Sequence, residues 1–253
     1  MKSLILAAGK GARLKELTKN IPKCLVKIQQ KSLIEYQLEV FESFQFKEVI
    51  LIAGYKSEKL KFLSKKTIIN KNYDKTNMLY SLYCALDEIK GDLLISYGDS
   101  VFDKAIIERI INSDSEINIA SDSNWKSYWE SRYVNPLSDL ETYKINSDGN
   151  VLSLGEKPTN FSQIEGQYIG LIKLSKKGSE IFKKELVYFH NKGVVNKKSF
   201  NDAYLTDFLQ ALILKGYRIK SQQVSGNYIE IDTIEDIESP ITQNRIKSFN
   251  KKL

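Results

Sequence analysis

Short apolar runs alternate along the chain with segments in which apolar residues recur every three or four positions. That alternation predicts a βαβ succession around a mostly parallel sheet. Leu4 to Ala7 is the first run and leads into a glycine-rich turn. Ile34, Leu38 and Phe41 then share one helix face, and Val49 to Ala53 follows as a buried strand. Leu79, Leu82, Leu86 and Ile89 repeat the helical spacing ahead of Leu93 to Tyr97, a strand that ends in Gly98-Asp99. Ile117 to Ala120 is a fourth strand. Thr142 to Leu154 alternates about Asp148-Gly149, a pair suited to a tight turn, so the segment reads as a hairpin. Tyr168 to Leu174 and Tyr228 to Asp232 are later strands, with a helix over Ala203 to Leu214 between them and a lysine-rich tail after them. The fold class expected is α/β: a Rossmann-like mixed, mostly parallel sheet flanked by helices. Residues 1–253 form a single domain in this reading, with an aromatic, polar insertion at about 123–141.

Composition narrows the partners. The net charge of +7 comes from lysine, since only five of the 38 basic residues are arginines: Arg13, Arg109, Arg132, Arg218 and Arg245. Nucleic-acid readers gather basic residues on one face with stacking aromatics, whereas these lysines are dispersed, so no nucleic-acid partner is expected. No run approaches the roughly 18 apolar residues of a membrane span, and Met1 leads directly into the first strand without a leader pattern; a cytoplasmic protein with no membrane partner is expected. Cys24 and Cys84 lack metal-finger spacing and read as reduced bystanders.

The turn Leu6-Ala7-Ala8-Gly9-Lys10-Gly11-Ala12-Arg13-Leu14 carries the first chemistry. Small residues after a strand let backbone N–H groups approach phosphate oxygens, and Arg13 adds a planar cationic fork. No Gly-Lys-Ser/Thr follows, which excludes a P-loop, and Leu14 at the third glycine position excludes the dinucleotide fingerprint. The glycines alone would equally suit a tight turn with a solvated arginine. Pro22-Lys23 supplies a second cation a few residues on.

Leu-Ala-Ala-Gly-x-Gly-x-Arg-Leu followed by Pro-Lys resembles the N-terminal signature of the sugar-phosphate nucleotidyltransferase superfamily. The family's usual Lys-Pro-Leu stands here as Lys31-Ser32-Leu33, a departure that removes a helix-entry proline but no reactive group. The resemblance continues in order through Gly98-Asp99, Glu156-Lys157-Pro158, Leu205-Thr206-Asp207 and Tyr228-Ile229-Glu230-Ile231-Asp232-Thr233. It implies that Asp99 and Asp232 hold a divalent metal, most suitably Mg²⁺, while Arg13 and Lys23 bind the triphosphate alongside Leu6, Ala7, Ala8, Gly9 and Gly11. Without the family, the aspartates could simply cap local structure. Two bare carboxylates at about 4 Å repel by about 4 kcal/mol at an effective dielectric of about 20, so a cation is expected between them. An acceptor phosphate is already nucleophilic at neutral pH, so the single histidine, His190, is read as a packing or surface residue.

Asn77 with Ser81 and Leu82, and the run Gly166 to Lys173, are similar to the phosphocholine and aminoethylphosphonate cytidylyltransferase branch. This implies CTP, with Asn77 and Ser81 reading the base, although Asn77 is equally placed to cap the next helix. Trp125 in the insertion and Asp122 just ahead of it, with Lys157 and Glu230, are the acceptor candidates: an aromatic face beside a carboxylate holds a cationic amine. Both tryptophans could instead fill the core. The acceptor stays open among phosphocholine, aminoethylphosphonate and an amino-acid phosphate such as glutamine phosphate, the last matching a branch that resembles enzymes of capsule phosphoramidate synthesis. The competing readings are a sugar-1-phosphate uridylyl- or thymidylyltransferase and a catalytically silent nucleotide-binding scaffold. Oligomeric state is not legible.

Overall fold

The computed structural model describes residues 1–252. Its main sheet has seven strands in the order 220–224, 117–122, 167–174, 93–97, 2–7, 48–53 and 66–69. All neighbours pair in parallel except Gln167–Leu174, which runs antiparallel to both Leu93–Tyr97 and Ile117–Asp122. The expected mixed, mostly parallel sheet is therefore present. Lys2–Ala7 lies inside it and is buried from Ser3 onward, which is why the first apolar run has no polar alternation. Leu4, Leu6, Ile50, Ile52 and Ile95 pack on one face of the sheet cluster, while Ile5, Leu51, Ala53 and Leu94 belong to the other. Each such aliphatic side chain contributes about 1.5–3 kcal/mol by burial.

The helix expected around Ile34 to Phe41 spans Leu33–Ser43. Ser32 closes a capping box with Glu35, accepting from its N–H at 3.4 Å while the Glu35 carboxylate accepts from the Ser32 N–H at 2.7 Å. The residue that replaces the family's proline thus starts the helix by another route, contributing about 1 kcal/mol. The expected helix from Leu79 to Ile89 is shorter, Met78–Cys84, and a 3-10 turn at Leu86–Glu88 completes the apolar face. The hairpin is present as Tyr143–Ile145 against Val151–Leu154.

Two differences bear on the site. The insertion is ordered: Trp125–Arg132 is a helix, followed by a 3-10 turn at Pro136–Ser138. The last strand, Tyr228–Glu230, does not join the main sheet but pairs antiparallel with Ser100–Phe102. The tail is also folded, as a helix over Pro240–Lys252. No helix among the described residues is long and apolar enough to cross a membrane.

Candidate active site

The carboxyl ends of Lys2–Ala7 and Leu93–Tyr97 lie side by side because the two strands are parallel neighbours, with Leu6 opposite Tyr97. The glycine turn and the Gly98-Asp99 turn therefore leave the sheet together. Gly98 permits the approach, since its N–H donates to the Leu6 carbonyl at 2.9 Å and a Cβ there would lie 2.8 Å from the same oxygen. Gly11 adopts φ +68°, and a Cβ on it would stand 2.8 Å from the Lys23 Cβ. Glycine is needed there both for the left-handed backbone and to let the Lys23 side chain pass.

Asp232 reaches Asp99 through the small ladder. Glu230 pairs with Ser100, so the next step brings Ile231 opposite Asp99, and the Ile231 N–H donates to the Asp99 carbonyl at 3.1 Å. Between the two carboxylates stands Lys23. Its ammonium lies 2.6 Å from Asp99 Oδ2 and 2.7 Å from Asp232 Oδ1, and Arg13 Nη2 meets that same Asp232 oxygen at 2.7 Å. The cation that electrostatics requires between the aspartates is thus supplied by the chain itself. Burial alone would lower the Lys23 ammonium, but the facing carboxylates outweigh it and hold it above the ordinary lysine value. Burial would likewise raise Asp232; Lys23, Arg13 and Arg132 together pull it below the usual carboxylate range. Glu230 is raised, by burial first and by the charge of Asp232 next.

Arg132 is the residue sequence reasoning passed over. Its side chain is 1% exposed and binds three carboxylates: Glu230 at 3.3 Å, Asp232 at 3.2 Å and Asp236 at 2.8 Å. The rings of Tyr128, Trp129 and Tyr133 cover its guanidinium at 5.2–5.6 Å. The signal was its helical spacing from Trp125, seven residues back on one face of Trp125–Arg132. Gln37 was also missed. Buried on the core side of its helix, it donates to the carbonyls of Tyr97 and Ser100 at 2.7 and 2.5 Å and accepts from Ser96, fixing the turn that presents Asp99.

The donor set suits a hard cation. Asp99 Oδ1 is buried without a hydrogen-bond partner, and the described residues offer no group of three or more acidic, histidine or cysteine ligands. Two carboxylates are too few for a site built wholly of protein ligands and suit a hard divalent cation that keeps the rest of its shell for other oxygen donors.

Leu6, Ala7, Ala8 and Gly9 line a cavity of about 140 Å³ beside this centre, with Asn77 and Ser81 on its far wall. Each of those two side chains is partly engaged within the protein. Asn77 caps its helix, accepting from the Met78 N–H at 2.8 Å, and its amide donates to the Asp202 carbonyl at 3.2 Å. The Ser81 hydroxyl is held by Asn70, a buried amide that also ties down Thr76. Both side chains line the cavity with part of their hydrogen-bonding capacity already in use, and the second Asn77 amide N–H and a lone pair on its oxygen stay uncommitted.

The acceptor expectation for Asp122 and Trp125 is revised. Asp122 is fully buried, and its Oδ1 accepts from the N–H groups of Asn124 and Gly226 at 2.8 and 2.9 Å, which fixes two loops. Trp125 packs in the core beside Phe161. Lys157 lies apart from Asp99 and Asp232, at a second cavity, with its ammonium on the Ser138 carbonyl. His190 stacks on Tyr83 at 3.9 Å, a packing role.

The chain belongs to the MobA-like NTP transferase domain family, whose match covers residues 3–140. Within that class it is 39% identical over 256 aligned positions to the CTP:phosphoglutamine cytidylyltransferase of Campylobacter jejuni, covering 95% of this chain and 99% of the relative. It is also 39% identical to the choline-phosphate cytidylyltransferase of Streptococcus pneumoniae, over 40% of this chain and 46% of that one. In fold it is similar to the solved structure of the CTP:phosphocholine cytidylyltransferase from Streptococcus pneumoniae, with a TM-score of 0.73, 24% identity and 94% and 96% of the two chains covered. The inositol-1-phosphate CTP transferase from T. maritima superposes with a TM-score of 0.78 at 16% identity, covering 100% and 97%.

Proposed function

We propose that residues 1–253 act as one catalytic unit that transfers CMP from CTP to a small phosphorylated amine or amino acid, releasing pyrophosphate. The observation that carries the transfer chemistry is the cluster in which Arg13, from the glycine turn, and Lys23, after Pro22, converge on Asp99 and Asp232. The cytidylyl donor and the phosphorylated acceptor rest on the full-length likeness to the Campylobacter jejuni enzyme.

An acceptor phosphate oxygen attacks the α-phosphorus in line, the bond from that phosphorus to the bridging oxygen breaks, and pyrophosphate takes the electron pair. The acceptor oxygen is anionic at neutral pH, so no general base is required. Arg13 and Lys23 turn from the aspartates to the incoming phosphates, trading one anionic partner for another at little electrostatic cost. Asp99 and Asp232 would hold a divalent cation such as Mg²⁺, which would supply charge neutralisation at the α-phosphate and the leaving group. Arg132 keeps Asp232 oriented throughout, because its guanidinium binds the other oxygen of that carboxylate.

The test is a pyrophosphate-release assay of CTP, UTP, dTTP and ATP against phosphocholine, aminoethylphosphonate, glutamine phosphate and a hexose 1-phosphate, with Mg²⁺. Turnover with CTP and a phosphorylated amine or amino acid is expected to exceed the rest by at least about tenfold. Equal turnover with dTTP and a hexose 1-phosphate would overturn the cytidylyl assignment, and no turnover with any pair would favour the silent scaffold.

A further inference from the structure

The short strand Tyr228–Glu230, which leads to Asp232, has a partner on one edge, Ser100–Phe102. Alternate residues of a strand turn their backbone N–H and C=O groups to the same edge. Ile231 therefore faces Asp99, while Tyr228, Glu230 and Asp232 face the other way. Among the described residues no second strand covers that outer edge. Side chains do so instead, one step after another. Arg245 Nη1, from the helix Pro240–Lys252, donates to the Tyr228 carbonyl at 2.6 Å. The Tyr128 hydroxyl, from the insertion helix Trp125–Arg132, accepts from the Glu230 N–H at 3.0 Å and donates to the Glu230 carbonyl at 3.3 Å. Asp236 accepts from the Asp232 N–H at 2.8 Å. Tyr128 is the centre of this arrangement. It is fully buried, its ring meets that of Tyr228 edge-on at 5.3 Å, and the guanidinium groups of Arg245 and Arg132 stand over it at 4.3 and 5.2 Å. Arg132 lies one helical turn after Tyr128 and grips the other oxygen of Asp232.

We propose that Tyr128, with Arg245 stacked on it, is a positioning residue for the transfer reaction: its hydroxyl closes the open edge of the strand leading to Asp232 and so fixes where that carboxylate stands. The inference rests on the nucleotidyl-transfer reading and gives the aromatic insertion a part in it. A three-residue strand paired on one side is marginal by itself, and its backbone groups need partners where water is excluded. One phenol oxygen serves both groups of Glu230, which a phenylalanine of the same shape cannot do. Without it the chain between Tyr228 and Asp232 is free to shift, and in-line transfer is sensitive to displacements well below the length of a bond. Neither the insertion helix nor the last helix touches the glycine turn's phosphate-facing side; each acts through the strand it clamps. Ile246 and Phe249 of the last helix pack in one cluster with Ile229 and Ile231, so that helix supports the strand's side chains as well as its edge.

A cycle of single-turnover rates on the full chain tests this, with wild type, Tyr128→Phe, Asp232→Asn and the double variant, Mg²⁺, and the fastest nucleotide–acceptor pair of the pyrophosphate-release panel. Tyr128→Phe is expected to lower the rate by at least about tenfold while each substrate's KM stays within about twofold. In the Asp232→Asn background the same substitution should cost less than about twofold, because a residue that acts through Asp232 has nothing left to position. Equal losses in the two backgrounds would overturn the proposal, as would an unchanged rate in Tyr128→Phe. Arg245→Lys keeps a donor for the Tyr228 carbonyl and a cation for the ring, so it should retain most of the rate that Arg245→Met loses. This pair supplies the rate comparison if Tyr128→Phe fails to fold, and equal rates in the two Arg245 variants would then count against the clamp. Hydrogen exchange without nucleotide gives a readout independent of turnover. Amides of residues 228–233 should exchange at least about tenfold faster in Tyr128→Phe or Arg245→Met than in wild type, with those of Lys2–Ala7 unchanged. Unaltered exchange at 228–233, or equal acceleration in both segments, would sink the edge closure. Absence of turnover with every pair would instead be a failure of the transfer reading, and the exchange result would still decide this one.

Discussion

Two groups of carboxylates sit near one another in this molecule and are treated oppositely. At the transfer centre Asp99, Glu230, Asp232 and Asp236 are matched against Lys23, Arg13 and Arg132, with contacts from 2.6 to 3.3 Å. In the second cavity Asp139 and Glu141 meet only a hydroxyl and an indole N–H. The first group is compensated before any ligand arrives, so its oxygens are held in place and ligands must exchange with cations already present. In the second, the lysines of the same cavity, Lys157, Lys197 and Lys198, stand beyond ion-pair distance from Asp139 and Glu141 among the described residues, so charge there is balanced loosely rather than by fixed contacts.

The sharpest way to break this contrast is at the compensated centre. Asp99→Asn or Asp232→Asn keeps the size of the side chain but removes the anion. Single-turnover rates are expected to fall by about 10³-fold or more, since charge stabilisation at the α-phosphate is lost. Nucleotide binding should persist through Arg13, Lys23 and the turn N–H groups. Rate and melting temperature are measured together. A folded Asp232→Asn protein with a near-normal rate at saturating Mg²⁺ would show that these carboxylates are structural caps, each worth about 1 kcal/mol.

Arg132→Met probes the same centre through stability. The substitution strands buried carboxylates of Glu230, Asp232 and Asp236, and breaking a buried pair from one side costs about 3–5 kcal/mol. Urea unfolding should register that loss. Lys157→Met, at the exposed rim of the second cavity, should change stability by less than about 0.5 kcal/mol. Equal effects at the two positions would mean that the difference in compensation has no energetic content.

The parts of this picture legible in the sequence are those encoded locally. Strand periodicity located Leu93–Tyr97 and hence Asp99 at a sheet edge, and the glycine turn announced a phosphate site with Arg13. The partnership of Asp99 with Asp232 was legible only through the family resemblance, because it depends on a ladder between segments some 130 residues apart. Gln37 and Arg132 stayed hidden for a related reason: each is a polar residue on an otherwise apolar helix face, and its partners lie on segments distant in sequence. Asp122 and Trp125 misled because an aromatic–acid pair looks the same whether it lines a pocket or packs a loop; only burial separates the two. Lys23 was read as a phosphate ligand, yet its position between the aspartates could not be seen without coordinates.

The smallest expected effect, and the one that isolates the uncompensated group, is the pH dependence of Glu141. Its carboxyl is raised from 4.5 to about 7, by burial first, with Thr206, Asp207, Lys198 and Asp139 as the neighbours that modulate it. Between pH 4.5 and 7 the unfolded chain has released this proton while the folded chain still holds it. Stability from this group therefore falls as pH rises through that window, by at most about 1.4 kcal/mol per pH unit and by less in practice because Glu141 is only partly shielded from water. Above about pH 7 the loss is complete. Glu141→Gln removes it, so the variant's melting temperature should gain on wild type from pH 4.5 to 7 and keep a constant lead beyond. Parallel melting curves would show that Glu141 stays ionised throughout, and the contrast between the two acidic groups would then rest on geometry alone.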